Sequence, residues 1–331
     1  MKKLAIIATF ILGTSAIFGM DEKGWASTYE SMSAFDSKIP ELGNRPGYVK
    51  PIIDNLGNVL NSNWYVSASV PQSFTFEVGL PFSIIPIGDD DQTYTENDLF
   101  FGPYRTPTIF GTHGNPADTL KGDETIYGNE TLNGLGVFTY PYLQAGASFY
   151  HARIVFRGMF LPSISELRKF NLFGFGLQYS FGHLFQSKLP PAAQPLDVSL
   201  VFGYNTSGIG YRPDKFDGEL DLDVSTTNFS LVIGYKPVNF FEVMMSLGYQ
   251  SAEMKSSGYL YQKQVDIYGI EYHNSEITPD ITVKGNNGFR FSLAAAFQFG
   301  KSFHPVIGYD YAGKSSFTTN VLYFRQQFGE E

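Results

Sequence analysis

Seven charged residues fall where charge is expensive. Glu77, Arg153, Arg157, Asp197, Glu242, Arg290 and Asp310 all lie inside or beside runs in which every second residue is aromatic or aliphatic. Arg153 and Arg157 are four apart, so on an extended strand they share a face. If the aromatic face of such strands meets lipid, an Arg pointing the same way costs ~2–4 kcal/mol at mid-depth. All seven are therefore expected to point to the other side and line a lumen. There they could form an ion-pair network that fills a narrow interior, or orient an anion-bearing ligand. The network is the plainer of the two.

Other chemistry is thinly represented. Asp217, Glu219, Asp221 and Asp223 alternate on one face, which could hold a divalent cation or meet cation-bridged lipopolysaccharide. No calcium-loop spacing accompanies them, and a solvated face explains them as well. The five His, at 113, 151, 183, 273 and 304, sit in no nucleophile, metal-ligand or phosphate-loop motif. With no Cys there are no disulfides, thiolate metal sites or lipid-modified Cys. The expectation is no catalytic residue, no metal, no cofactor and no enzyme activity. Nothing basic is clustered in a chain of net charge -9, so nucleic acid is not an expected partner.

The elements that must position these residues read as a β-barrel. Aromatics reach 16% and charged residues only 17%, against ~25% in ordinary soluble domains. Mean hydropathy is -0.11, too low for a helical membrane protein. That combination suits a wall that is apolar on one face. At the N-terminus, Lys2 and Lys3 precede an apolar run from Leu4 to Phe18, with Gly19 or Ala16 as the cleavage point. This predicts a signal peptide over residues 1–19, because the run is too short to span as a helix. In residues 20–62, Tyr48, Ile52, Ile53, Leu56 and Leu60 recur at helical spacing. The segment is either a short helix that packs against or plugs a barrel mouth, or a loose periplasmic lead-in.

From Asn63 to Phe328 the period becomes two. Phe173, Phe175, Leu177, Tyr179 and Phe181 alternate with Gly174, Gly176, Gln178, Ser180 and Gly182. The same phase recurs around Phe76, Phe202, Leu247 and Phe291. These runs approach the ~9–11 residues of a tilted transmembrane strand, longer than the ~5–6 usual in a sandwich. The Gly, Ala, Ser and Gln face suits a polar barrel interior. Strands are expected to begin near residues 64, 73, 141, 152, 169, 196, 220, 239, 259, 276, 288, 303 and 316. Tight connections at 70–72, 150–152, 236–238 and 300–302 all fall on one side, as periplasmic turns do. An odd count conflicts with the even numbers of bacterial barrels, so 12 or 14 strands are expected. A bulge is expected where the phase slips between Leu222/Val224 and Phe229/Leu231. The long acidic loop 88–135 would fold into the lumen as a constriction or sit outside as a lid.

Several motifs carry a family resemblance. They are Pro107-Thr108-Ile109-Phe110-Gly111, Leu143-Gln144-Ala145-Gly146-Ala147, the run from Arg153 to Pro162, the run from Phe173 to Tyr179, and Leu196-Asp197-Val198-Ser199. Together they look like an uncharacterised family of exported β-barrel proteins common in Bacteroidota and their relatives. The layout is also similar to the fatty-acid-transporter class of barrels, which carry an N-terminal plug-like segment. The resemblance implies an all-β fold, a closed antiparallel transmembrane barrel in a Gram-negative outer membrane. Expected partners are membrane lipids and lipopolysaccharide, a small hydrophobic ligand, and barrel-assembly machinery, which reads aromatic-ended last strands such as Leu322–Phe328. The expected role is passive uptake or binding of small hydrophobic molecules, or else a structural or interaction part of an outer-membrane or secretion assembly.

Overall fold

The computed structural model describes residues 47, 49–98, 102–111, 136–162, 167–211, 216–265, 268–269, 271–273, 281–300 and 302–328. The predicted signal peptide, and most of residues 20–62 and 112–135, lie outside them.

Ten antiparallel strands close a ring. In chain order they are β1 (Thr75–Pro86), then, after three strands outside the ring, β5 (Leu143–Phe149), β6 (Ala152–Leu161), β7 (Leu167–Ser180), β8 (Leu196–Tyr211), β9 (Phe216–Val238), β10 (Phe241–Val265), β13 (Gly288–Phe297), β14 (Val306–Tyr311) and β15 (Ser315–Gln327). Each pairs with the next, and β15 returns to β1 with Thr75 opposite Gln327, so no edge is left open. Outside the ring, β4 (Val137–Thr139) pairs with β1, while β11 (Glu271–His273) and β12 (Ile281–Lys284) pair with β10. A separate hairpin joins β2 (Thr93–Asp98) and β3 (Gly102–Pro107).

The ring therefore holds ten strands, neither 12 nor 14, and three expected strand starts account for the excess. The segment from residue 64 alternates like a strand but pairs with none. The start near 259 is the continuation of β10, and the one near 276 corresponds to the four-residue β12 outside the ring. Nor is there a bulge at Leu222/Val224: β9 stays in continuous register with both β8 and β10 there. The tight connections at 150–151, 239–240 and within 298–305 do share one end, as does the three-turn stretch 181–195. Residues 70–72 also lie at that end, but they lead into β1 from the barrel interior. The turn at 312–314, at the opposite end, is also short, at three residues.

The phase slip in β9 has another cause. Along one part of the wall the outward side chains are apolar and the inward ones mix small and polar residues with Val201, Val232 and Met244. On β9 the outward set is Phe229, Leu231, Ile233 and Tyr235, and on β10 it is Val243, Met245, Leu247 and Tyr249. The inward set there includes Asn228, Ser230, Ser246 and Gln250, all buried. Further along the same strands the sides exchange. Val224 on β9, Ala252 and Met254 on β10, and Phe170 and Leu172 on β7 point inward and are buried, while Asp223, Lys255 and Lys169 point outward and are exposed. Alternation never breaks; the apolar set changes sides.

What fills the interior is the chain's own preceding segment. Helix α1 (Lys50–Asn61) starts with Pro51 in its first turn, where the missing N–H costs nothing. All its residues except Lys50 and Ile52 are buried. It packs on the inward faces of β1, β8, β9 and β10 and on β12. Gly57 allows the closest approach: a Cβ there would lie 2.6 Å from that of Ala252. Asn63, with φ 59°, turns the chain out of the helix. Residues 63–70 then cross the interior outside any helix or strand, bending at Trp64, Val66 and Ala68, and 71–74 lead into β1.

Two apolar clusters follow from this path. One surrounds α1: Ile53, Leu56, Val59 and Leu60 meet Tyr140, Tyr142, Phe170, Leu172 and Val283. Ile87, Ile109 and Phe110, flanking the β2–β3 hairpin, join it. The described part of the acidic loop thus packs against the helix end, tied there by an ion pair between Lys314, in the β14–β15 turn, and Asp91 of the short helix α2 (Asp89–Gln92). Burial pushes the Lys314 ammonium down, to about 8, with the carboxylate of Asp54 opposing the shift. The second cluster gathers around Trp64, Val66 and Ala68.

Candidate functional site

All seven charged residues picked out from the alternation are buried on the inward face of the ring, none more than 5% exposed. Their partners divide them into three groups.

The first group serves the end of α1. The last carbonyls of a helix have no partner within it and carry the negative end of its dipole. Arg157 donates to Leu60 O at 2.7 Å and Ser62 O at 2.6 Å, and its Nε donates to Gln144 at 2.8 Å. Its guanidinium stacks over the Trp64 ring at 3.4 Å and lies 4.7 Å from the Tyr142 ring centre. Arg290 donates to Asn58 O at 3.4 Å, the Ser62 hydroxyl at 2.8 Å and Gln250 at 2.7 Å, and pairs with Asp310 at 3.0 Å. The amide of Asn205 adds a donor to Leu60 O at 2.8 Å.

The second group grips the extended segment. Arg153 donates to Trp64 O at 2.7 Å and forms a buried ion pair with Glu77, which Arg325 approaches from the other side at 3.7 Å. The amide of Gln178 donates to Ser67 O at 2.7 Å. Glu242 accepts from the Ser67 hydroxyl at 2.6 Å and from the Ala68 N–H at 2.8 Å, and Tyr65 donates to Ser246 at 3.0 Å. An unpaired backbone buried in a barrel needs such partners, because it has no ladder of its own.

Asp197 stands apart. It accepts from Ser180 at 2.8 Å and from the N–H of Gly182 at 2.9 Å, closing the turn between β7 and β8. That is a local cap rather than a contact with the interior segment.

The small residues of the inward face are explained by the same segment. A Cβ on Gly203 would lie 2.1 Å from the Trp64 ring, one on Gly176 2.6 Å from it, and one on Gly234 2.5 Å from the Ala68 Cβ. They make room for protein, where the sequence suggested a polar lumen. At the far end, Tyr150 and His151 both take positive φ in a two-residue turn of the hairpin kind. Their N–H groups donate to Gln72 O at 3.1 Å and Pro71 O at 3.2 Å, which pins the exit of the interior chain against the β5–β6 turn.

Sequence reasoning singled out these charged residues but not the interior segment they contact. Trp64, Ser62 and the carbonyls of Leu60 and Trp64 carried no signal beyond an apparent strand. Of the acidic ladder on β9, Glu219 and Asp223 face outward and are exposed. Among the described residues no group of three or more His, Asp or Glu is placed to hold a metal ion. His151 and His183 stack at 4.1 Å, and His304 meets the edge of Tyr323.

Solved structures similar to this chain are outer-membrane β-barrels of different roles. They include the outer membrane protease OmpT from Escherichia coli (TM-score 0.33, 7% identity, 80% of this chain and 100% of that one). Ail, the attachment invasion locus protein of Yersinia pestis, gives 0.30 and 10% (77% and 100%). A FadL homologue of Pseudomonas aeruginosa gives 0.28 and 9% (86% and 98%). Likeness at this level carries no weight for function. No curated protein matches the sequence. The chain belongs to a family of unknown function, DUF6588, whose model matches residues 1–312.

Proposed function

We propose that this chain is an outer-membrane β-barrel kept closed by its own residues 49–70, and that it serves as a structural or interaction component rather than as an open pore. In this reading residues 1–19 are the signal peptide that exports it. The outward apolar band supports the location. On β10 it runs from Phe241 to Tyr249, roughly 26 Å of strand at ~3.3 Å per residue, or roughly 20 Å after a tilt of ~40°; the apolar belt of such barrels is ~25 Å tall. Large side chains in it stand open, Phe173 at 55% and Phe229 at 52%. A soluble wall with that much exposed aromatic surface would aggregate.

One observation carries the closed state: the inward cations and amides are engaged with backbone carbonyls of the interior segment, leaving Arg153, Arg157 and Arg290 bound to protein. Passage of small hydrophobic molecules along the axis would require that segment to leave and those bonds to break. Planar-bilayer recording of the purified chain is expected to show no regular conductance steps. Steady steps, or an ordered aliphatic molecule retained through purification, would overturn the closed reading.

A further inference from the structure

We infer that the polypeptide runs through the barrel from its outer to its inner end, so that Gly47 lies at the cell-surface end. This rests on the outer-membrane reading above.

The path is read level by level. Gly47 lies against Tyr94 of the β2–β3 hairpin: a Cβ there would meet the ring at 2.1 Å. Val49 belongs to the cluster with Ile85, Ile87 and Ile109, at the end where β1 finishes. The end of α1 is met by Arg157, midway along β6. Trp64 sits between β7 and β8 at Gly176 and Gly203. Ser67 and Ala68 meet Glu242 at the start of β10, and Val70 O lies 3.2 Å from Nδ1 of His151, in the turn at the other end. Each step is further from the first end. The segment thus meets both ends of the ring, from Val49 beside the end of β1 to Val70 beside the β5–β6 turn.

The same geometry tells which end is outer. The end where Val70 leaves the interior holds the two-residue turns 150–151 and 239–240 and the connections 181–195 and 298–305, together with the start of β1 and the end of β15. The opposite end holds the longest connections, 87–142 and 266–287. There, β7, β9 and β10 continue past the apolar band with Lys169, Asp223 and Lys255 facing out. Short turns mark the periplasmic side and long loops the outer one. The segment therefore enters from outside, and Gly47 lies at the extracellular end.

The chain has no Cys, so single-Cys variants report position cleanly. Ser37→Cys and Lys50→Cys sample the chain before and at the start of α1; the Lys50 side chain is 41% exposed. Lys255→Cys, on the outward face of β10 beyond the band, and Asn239→Cys, in a two-residue turn, are the two references. Intact cells are treated with a membrane-impermeant maleimide, and the mass of the mature protein confirms that residue 37 is retained. S37C and K50C are expected to label as fully as K255C, with N239C silent until the outer membrane is opened. If K255C labels while S37C and K50C behave like N239C, threading is overturned and the barrel stands. If N239C labels and K255C does not, the orientation and the threading both fall. Recovery of the protein in the soluble periplasm overturns the outer-membrane reading itself. Clipping before residue 37 leaves K50C to decide.

Discussion

Two stretches of the same strands obey opposite rules. At the height of the aromatic band, β9 shows Phe229 and Leu231 outward and buries Ser230 and Asn228 inward. Beyond it, the same strand buries Val224 inward and exposes Asp223. The interior changes with the wall. At band height the inside mixes Ser, Asn and Gln with Val201, Val232 and Met244, and the chain within, bending repeatedly, is held by side-chain hydrogen bonds to its backbone. Where the inside is apolar, the chain within is helical, satisfies its own backbone and presents Ile53, Leu56 and Leu60 to the wall. Which face of a strand is apolar is set by what each face touches at that level, and the pleat only supplies the choice of two.

The sharpest way to break this comparison is at the joint between the two halves. Arg157→Ala removes bonds to Leu60 O, Ser62 O and Gln144 and uncovers the Trp64 ring. Charge-assisted bonds are worth roughly 1.5–3 kcal/mol each, so a loss of at least ~3 kcal/mol is expected after relaxation. It would be read as a lower urea midpoint for the heat-modifiable form in detergent. Arg157→Lys should recover under half of it, since one ammonium cannot span the same set of acceptors. A loss below ~1 kcal/mol for the alanine variant would mean that the helix end is held by packing alone, given the usual worth of such bonds.

A second variant pair tests the wall. Leu231→Arg puts a cation on the outward face within the band, where ~2–4 kcal/mol is expected at mid-depth. Asp223→Arg places the same cation on the same face of the same strand beyond the band, where a surface change should stay within ~0.5 kcal/mol. Equal effects in folding assays in lipid bilayers would show that the band is not the lipid-facing zone.

How much of this was legible follows from the same contrast. The outward band could be read because period-two alternation is a property of the sequence itself. The seven charged residues could be placed inward because lipid admits no other direction for them. The ring size could not. Trp64, Val66, Ala68 and Val70 alternate as a strand would, yet their backbone partners are side chains such as Gln178 and Glu242. Nothing in a local pattern distinguishes a strand in a wall from an extended segment inside it. The exchange at Leu222/Val224 looked like a bulge because a switch of apolar face and a slip of register leave the same trace. The partners of Arg157 were illegible for a simpler reason: a carbonyl oxygen belongs to every residue. Helical spacing at Ile52, Ile53, Leu56 and Leu60 did mark α1, but no part of it told that the helix would be surrounded.

A smaller expected loss bears on why the inward face is poor in side chains. If glycines at band height were there to leave water in a lumen, a methyl group at Gly203 would be harmless. In the filled interior it would sit 2.1 Å from the Trp64 ring, and that ring cannot retreat easily because Arg157 stacks on it. Gly203→Ala should therefore cost about 1–3 kcal/mol, the usual range for overpacking. Trp64→Leu removes the obstacle and carries its own cavity cost. Together the two changes should cost less than the sum of the singles, because the methyl then occupies space the indole has left. The urea midpoints of the four proteins give that coupling directly. A Gly203→Ala variant as stable as the parent, with no coupling to Trp64, would show that the ring does not rest against this wall.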